Sequence, residues 1–185
     1  GGVESISLVQ NEHQNTYRLL DPTVLSNAPD YFMPMLQTAE TVAARYGVSR
    51  EDMDRYGANS QARAIAANEA GRLADEVIAM TVTKKVMDRE TGTVTDAEIT
   101  IDRDEGLRPS TYEQVSGLKT VVEGGTITAG NASQLSDGAA ATVVMERAEA
   151  ERRGIEPLGF YRGIAVAGCK PDEMGIGPVF AVPKL

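Results

Sequence analysis

The sequence has little of several residue types on which common protein sites depend. Its 185 residues include no tryptophan, three phenylalanines, one cysteine and one histidine. A single cysteine excludes an intrachain disulfide and favours a reducing compartment, so we expect a cytoplasmic location. One histidine and one cysteine are too few for the usual zinc site, and no phosphate-loop or dinucleotide fingerprint is present. The sequence therefore predicts no bound metal and no resident cofactor.

Basic residues are also few: the sequence has 18 of them and 27 acidic residues, which gives a formal net charge of −9. This charge repels nucleic acids and anionic membrane surfaces at long range. No apolar run reaches the roughly 18 residues of a membrane-spanning helix. We therefore expect no nucleic-acid partner and no membrane, although local cations or helix N-termini still allow a small anionic ligand.

Both ends of the sequence indicate a longer protein. The chain begins with Gly1-Gly2-Val3 rather than an initiator methionine, and residues 177–185 resemble the opening of an apolar helix. A length of 185 residues suits one domain, or one domain with part of a second. We expect an internal piece of a larger chain, with a trimmed product as the alternative.

Apolar periodicity and caps predict mixed secondary structure. Helices are predicted at 38–46, 49–70, 111–118 and 146–153. Strands are predicted at 77–84, 97–102, 138–145 and 158–167. Thr38 is the expected N-cap of the first helix, Gly57 marks a bend or break in the second, and 138–145 has the composition of a strand buried on both faces. Strand, helix and strand in succession near the end argue for an α/β layer.

Neither the single histidine nor the single cysteine lies in a recognisable catalytic motif. His13 lies in a very polar stretch and is expected at the surface. Cys169 is followed by Lys170, but no base that could activate the thiol is near in sequence. Because Cys169 directly follows a predicted buried strand, a structural role is expected for it.

Two segments have a composition that suits either a ligand site or a tight turn. Residues 128–138 are small and polar, so their backbone can approach a ligand closely, and Asn131 and Ser133 can bond a ligand or the turn itself. Residues 173–178 carry two glycines and a proline before a predicted helix, and Met174 there suits a pocket or a gap in the core. Composition alone leaves the first pair of alternatives open and, for Met174, favours the core.

The same segments, together with the start of the chain, resemble signatures of the thiolase family. Residues 1–7 are similar to the Gly-Gly-x-Glu-Ser-Met-Ser segment of thiolases. Gly130-Asn131-Ala132-Ser133, followed by Ser136-Asp137-Gly138-Ala139-Ala140, resembles the Gly-Asn-(Ala/Ser)-Ser … Asp-Gly-Ala-Ala signature. Met174-Gly175-Ile176-Gly177-Pro178 resembles the Met-Gly-x-Gly-Pro turn. The matches occur in the family's order, Thr38-Ala39-Glu40 fits as well, and the resemblance covers the whole chain.

The resemblance implies an α/β fold, namely an α+β loop domain plus part of a layered αβαβα core. Residues 1–5 would end a core strand of the first half, 6–135 would form the coenzyme A-binding loop domain, and 136–185 would begin the second half. An intact thiolase is a homodimer or homotetramer, so the same assembly is expected of the parent protein.

The resemblance also implies acyl transfer between 3-ketoacyl-CoA or acyl-CoA and CoA or acetyl-CoA, as in fatty acid metabolism. A cysteine nucleophile carries the acyl group as a thioester, a histidine activates that cysteine, and a second cysteine moves a proton. None of these residues is present, because Cys169 and His13 match no catalytic position. The chain alone is therefore expected to be inactive.

The resemblance implies that this chain contacts the substrates, which are coenzyme A thioesters. The implied contact residues are Met35, Arg108, Ala129, Ala132, Ser133 and Met174. Arg108 would contact the nucleotide end of coenzyme A, where a guanidinium can stack on adenine or pair with phosphate. Pro34 replaces a histidine of some biosynthetic thiolases, which argues against a strict short-chain substrate and favours an apolar rim at 33–37.

Two other functions compete with the acyltransferase. One is a non-catalytic module for coenzyme A binding or assembly, which needs no nucleophile. The other is a thiolase-like lipid carrier, which the intact signatures disfavour.

Overall fold

The computed structural model describes all 185 residues, which divide into two units. The first unit contains Gly1–Ser49, Val121–Ile127 and Ser133–Leu185. The second contains Arg50–Thr120 and Thr128–Ala132. Helices and strands occur together in the chain, and this agrees with the α/β class predicted from the sequence. No helix combines the length and the apolar character that crossing a membrane requires.

The second unit is built on one long helix and one hairpin. Its elements are α4 (Arg50–Glu69), β2 (Met80–Met87), β3 (Val94–Ile101) and α5 (Tyr112–Ser116). Strands β2 and β3 pair antiparallel from Met80 opposite Ile101 to Met87 opposite Val94. The turn between the two strands contains Gly92 at a φ of 70°, which suits glycine. Helix α5 begins with a capping box between Thr111 and Gln114 and packs on α4.

The first unit is built mainly from short elements. They are β1 (Gly2–Glu4), α1 (Ile6–Val9), α2 (Pro22–Asn27), α3 (Met35–Tyr46), β4 (Gly138–Ala140), α6 (Arg147–Arg152) and α7 (Gly177–Ala181). Three 3-10 helices accompany them, at Pro29–Phe32, Pro171–Ile176 and Val182–Lys184. Strands β1 and β4 pair antiparallel, and α3 packs on the 3-10 helix Pro171–Ile176. This last contact carries one of the two segments that the sequence singled out.

Helix α3 begins three residues earlier than predicted. Pro34 occupies the N-cap position, and Thr38 lies within the helix, where its hydroxyl donates to the carbonyl of Met35 at 2.8 Å. The prediction of Thr38 as N-cap is therefore wrong. Helix α2 was absent from the prediction, although Asp21 accepts hydrogen bonds from the N–H groups of Thr23 and Val24 and Pro22 follows it. Aspartate before proline is a helix-start signal that sequence reasoning could have used.

The predicted strands near the end of the chain are mostly wrong. Strand β4 stops at Ala140 and is exposed, so 138–145 is neither a full strand nor buried. Residues 158–167 form no strand. Their apolar side chains, together with Val143 and Val144, remain in solvent; Leu158, Ile164 and Val166 are more than three-quarters exposed. The strand pattern is present in the sequence, but a strand requires hydrogen-bonded neighbours, and this chain provides none there.

Candidate functional site

The turn Thr128–Ala132 in the second unit is closed by its own polar groups. The N–H of Thr128 donates to Oδ1 of Asn131 at 2.8 Å, and the N–H of Ala132 donates to the carbonyl of Thr128 at 3.0 Å. The N–H of Gly130 donates to the Thr128 hydroxyl oxygen at 3.2 Å. Thr128 is completely buried. Asn131 therefore holds the turn through its carbonyl oxygen, a common use of asparagine.

The other end of the Asn131 side chain joins a buried ion pair. Its Nδ2 donates to Oδ1 of Asp54 at 2.9 Å, and Nε of Arg50 donates to Oδ2 of the same carboxylate at 2.6 Å. Asp54 is 1% exposed. A buried carboxylate is tolerated only when it is paired and hydrogen-bonded, and both oxygens of Asp54 have partners here. Nη2 of Arg50 also donates to the carbonyl oxygen of Leu118 at 3.0 Å.

Two glycines let the turn lie against its neighbours in this unit. A Cβ on Gly57 would stand 2.5 Å from the carbonyl oxygen of Gly130. A Cβ on Gly130 would stand 2.7 Å from Cδ1 of Leu118 and 2.8 Å from Cγ1 of Val115. The chain does not break at Gly57, because α4 runs unbroken through it. Glycine is required there for close approach to the turn rather than for a kink.

The sequence-predicted site residues of the second unit are Arg108, Ala129 and Ala132. Ala129 is exposed and Ala132 half-buried on the turn. Arg108 is exposed, and its N–H donates to Oε1 of Gln61 on α4 at 3.1 Å. These positions suit contact with a ligand from solvent. The same unit has a cavity of about 600 Å³ whose lining includes Glu69, Asp102, Asp104 and Glu105. Its acidic lining disfavours a phosphate there.

Met35, Ser133 and Met174 belong to the first unit. Met35 opens α3 and is 72% exposed, while Met174 lies in the 3-10 helix that packs on α3 and is 49% exposed. Ser133 is exposed. The partial burial of Met174 agrees with a side chain that is not committed to the core.

An arginine links α3 to the turn that carries Met174. Nη2 of Arg45 donates to Oδ2 of Asp172 at 2.7 Å, and Nη1 donates to Oε2 of Glu173. The hydroxyl of Tyr46 donates to that oxygen of Glu173 at 3.0 Å. The hydrogen bond from Arg45 is the main reason that the pKa values of Asp172 and Glu173 lie below their usual range. The residue preceding Met174 is thus anchored by two side chains of α3.

The carboxylate of Glu40 on α3 binds the backbone just before Thr128. Glu40 accepts hydrogen bonds from the N–H groups of Thr126 and Ile127, at 2.7 and 2.9 Å, and from the Thr126 hydroxyl at 2.7 Å. Partial burial works against ionisation of Glu40, but these three hydrogen bonds outweigh it and leave its pKa lowered. Ile127 is 8% exposed, so Glu40 satisfies the backbone where the chain becomes buried.

The single histidine and the single cysteine form no catalytic pair. The side chain of His13 is 85% exposed, and its only charged neighbour is Glu12, at 3.6 Å. Cys169 is half-buried, and its thiol donates to the carbonyl of Met174 at 3.7 Å. The exposure of His13 agrees with the surface position expected from the sequence. The structural role expected for Cys169 stays a prediction.

Sequence reasoning missed three side chains that shape these turns. Arg50 and Asp54 are spaced for a helical ion pair, a signal that was available but that does not reveal burial. Glu40 was recognised only as part of a family pattern. Their distant hydrogen-bond partners lie between 65 and 87 residues away along the chain, and spacing does not disclose such contacts.

Comparison with known proteins identifies the family to which this chain belongs. The family model for the thiolase N-terminal domain matches residues 1–148. The chain therefore belongs to the thiolase family, as its motifs indicated.

Individual relatives agree over the whole chain. A 3-ketoacyl-CoA thiolase of Bacillus subtilis is 40% identical over 186 aligned residues, covering 100% of this chain and 47% of the relative. The peroxisomal 3-ketoacyl-CoA thiolase A of Mus musculus is 42% identical, and the alignment covers 98% of this chain and 42% of the relative. The chain spans about half the length of the curated relatives it matches.

Solved structures give the same fold. The dimeric peroxisomal thiolase of Saccharomyces cerevisiae superposes with a TM-score of 0.76 and 32% identity, covering 99% of this chain and 44% of that one. The acetyl-CoA acetyltransferase of Bacillus anthracis also has a TM-score of 0.76, with 34% identity over 100% of this chain and 47% of that one. Identities above 30% support the thiolase fold for these residues.

Proposed function

We propose that this chain supplies coenzyme A and acyl-pocket contacts of a 3-ketoacyl-CoA thiolase. The observation that carries the proposal is the 40% identity to a 3-ketoacyl-CoA thiolase along the whole chain. The complete enzyme would interconvert 3-ketoacyl-CoA plus CoA with acyl-CoA plus acetyl-CoA through a cysteine thioester. Coenzyme A thioesters are its substrates, and no resident cofactor is required.

The contacts fall on two exposed surfaces, one in each unit. In the second unit, Ala129 and Ala132 present a backbone with small side chains to the pantetheine arm, and exposed Arg108 offers a guanidinium to the nucleotide end. In the first unit, exposed Ser133 offers a hydroxyl to the substrate, while Met35 and Met174 offer flexible thioethers to the acyl chain.

The chain does not carry the chemical step. Its cysteine donates to a backbone carbonyl and has no base beside it, and its histidine lies in solvent. The nucleophile and the base are supplied by residues outside this sequence. The 185-residue chain therefore binds coenzyme A without turning it over, and a measurable thiolysis rate from the pure chain would contradict this assignment.

Calorimetric titration of the 185-residue chain with coenzyme A tests the proposal. Ala129→Asp adds a carboxylate to an exposed position of the turn and should weaken binding of the anionic ligand. Asn59→Asp is the matched control, because it adds the same charge at an exposed site on the face of α4 opposite Gly57. Equal loss in both variants would mean a general charge effect, and no binding by the unaltered chain would refute the proposal.

The apolar segment 33–37 supports a preference for longer acyl chains. Met35 and Leu36 are exposed at the start of α3, and Pro34 has no donor or acceptor beyond its carbonyl for a short polar substrate. Thiolysis rates of the complete enzyme on four-carbon and medium-chain 3-ketoacyl-CoA would decide this point. Strict preference for the four-carbon substrate would rule it out.

The competing function is a coenzyme A-binding or assembly module without catalysis. The mass of the native polypeptide in its cells separates the two. A mass near twice that of these 185 residues supports the complete enzyme, which we propose to be a cytoplasmic homodimer or homotetramer. A mass equal to that of the chain, together with coenzyme A binding, supports the module.

A further inference from the structure

We infer that Asp54 and Arg50 are positioning residues for coenzyme A, acting through Asn131 on the turn Thr128–Ala132. The inference rests on the proposed function, because it assigns these residues to the contact between that turn and the pantetheine arm. Neither residue is expected to touch the ligand. Their effect is to fix the turn backbone before the ligand arrives.

The geometry gives Asn131 two opposite tasks. Its carbonyl oxygen accepts from the N–H of Thr128 inside the turn, and its amide nitrogen donates to Asp54 on α4. The side-chain orientation is therefore fixed, since a carboxylate oxygen accepts and cannot donate. A flipped amide would place its carbonyl oxygen against the Asp54 carboxylate and its NH₂ group against the N–H of Thr128. Asp54 thus selects the amide orientation that closes the turn.

Arg50 fixes Asp54 in turn. Its Nε donates to the second carboxylate oxygen, and its Nη2 reaches the carbonyls of Ser116 and Leu118 at 3.3 and 3.0 Å. Helix α4, the end of α5 and the turn are thus connected by one chain of hydrogen bonds. Because Asp54 is 1% exposed, water competes little with these bonds.

The buried Asp54 carboxylate is better explained by its effect on the conformation of the turn than by a gain in stability. A buried ion pair often gives no more stability than apolar residues of the same volume. What it adds is a single conformation for the partner it bonds. The turn that it fixes has two exposed or half-exposed alanines on its outer side, and a preorganised backbone lowers the entropy that ligand binding must overcome.

A reciprocal exchange of the two side chains tests this role. Asp54→Asn leaves an amide facing the amide of Asn131, and Asn131→Asp leaves two carboxylates facing each other. The double variant reverses the pair: the amide introduced at position 54 would donate to the carboxylate introduced at position 131 and offer its oxygen to Arg50. That carboxylate would still accept from the N–H of Thr128, and the net charge equals that of the unaltered chain. Glu51→Gln is the control, because it removes an equal charge from an exposed ion pair with Arg55 on the same helix.

Coenzyme A affinity is measured by calorimetry at a temperature where circular dichroism shows each variant folded. Each single variant should bind about tenfold more weakly, and the double variant should return to within about threefold of the unaltered chain. Glu51→Gln should bind normally. For Asp54→Asn the direction of the change in affinity is diagnostic. The loss of a negative charge would by itself strengthen binding of an anionic ligand, whereas a disordered turn would weaken it.

Residue-resolved hydrogen exchange gives a second readout that needs no ligand. The Thr128 amide should exchange faster in each single variant and recover in the double variant, while the Val115 amide, which bonds to the carbonyl of Thr111, should not change. If Asp54→Asn unfolds, Asn131→Asp and the double variant still provide the rescue comparison.

Normal or tighter binding by Asp54→Asn, or a folded double variant without recovery, overturns the inference while leaving the proposed function intact. An unaltered chain that does not bind coenzyme A overturns the proposed function, and the inference falls with it. Loss in the single variants with recovery in the double variant supports both.

Discussion

Glu40 and Thr126 meet through two hydrogen bonds, since the Thr126 N–H donates to one carboxylate oxygen at 2.7 Å and its hydroxyl donates to the other at 2.7 Å. The N–H of Ile127 shares the first oxygen. One side chain of α3 thereby satisfies two backbone groups 86 and 87 residues further along the chain. Gly125 allows this contact, because a Cβ there would stand 2.5 Å from the Glu40 carboxylate.

Glu40→Ala should destabilise the chain by about 2 kcal/mol, because partly buried N–H groups would lose their acceptor. Glu40→Gln keeps a carbonyl oxygen for both amides and should lose only part of that stability. Urea unfolding followed by circular dichroism measures both. If the alanine variant unfolds at the same midpoint as the unaltered chain, solvent replaces Glu40 at this site.

Three carboxylates of the first unit predict that the stability of the folded chain depends on pH. The pKa values of Glu40, Asp172 and Glu173 are lowered in the folded chain, so their contribution to stability is present above the ordinary values of 4.5 for glutamate and 3.8 for aspartate. It is lost as the pH falls through the lowered folded values. Arg45→Gln should raise the pKa of Glu173 toward 4.5, because the hydrogen bond from Arg45 is the main cause of its shift.

Side-chain carboxyl shifts in an NMR titration would measure that change. Arg147→Gln is the control, since Arg147 pairs with exposed Glu151 on α6 and does not contact Glu173. An unaltered Glu173 titration in Arg45→Gln would show that the lowered pKa has another source.

Gly57→Ala should destabilise the second unit although alanine is the better helix former. Helix propensity favours alanine by about 1 kcal/mol, but the added Cβ would stand 2.5 Å from the Gly130 carbonyl oxygen. Overpacking of this kind costs about 1 to 3 kcal/mol, so the expected net effect is a loss. Thermal unfolding measures it, with Asn59→Ala on the opposite face as a neutral control. A higher unfolding temperature for Gly57→Ala would contradict the close approach.

The 185-residue chain should self-associate in solution. Val143, Val144, Leu158, Ile164 and Val166 are all at least 77% exposed, and exposed apolar surface of this extent promotes association. Sedimentation velocity at rising concentration should show growing species. Replacing Val144 and Ile164 by threonine should reduce these species, whereas Val48→Thr, at a position that is only 41% exposed, should not. A monomer at all concentrations would disprove this prediction.

Local signals predicted the elements whose causes lie within a few residues. The helices predicted at 38–46 and 111–118 are present, and local groups bound them: a left-handed C-cap at Gly47 and a capping box of Thr111 and Gln114. The boundaries of the β2–β3 hairpin were shifted by about three residues, since pairing rather than propensity sets strand ends. The division into 1–5, 6–135 and 136–185 stays a prediction, as do the six contact residues.

By itself, the sequence determined the α/β class and the membership of the thiolase family. Composition, order of motifs and residue counts suffice for such statements. Tertiary structure alone decided that Asp54 is buried against Asn131 and that residues 158–167 are not a strand. The physical reason is range: a hydrogen bond across 77 residues, or a strand without a neighbour, depends on what the folded chain brings alongside.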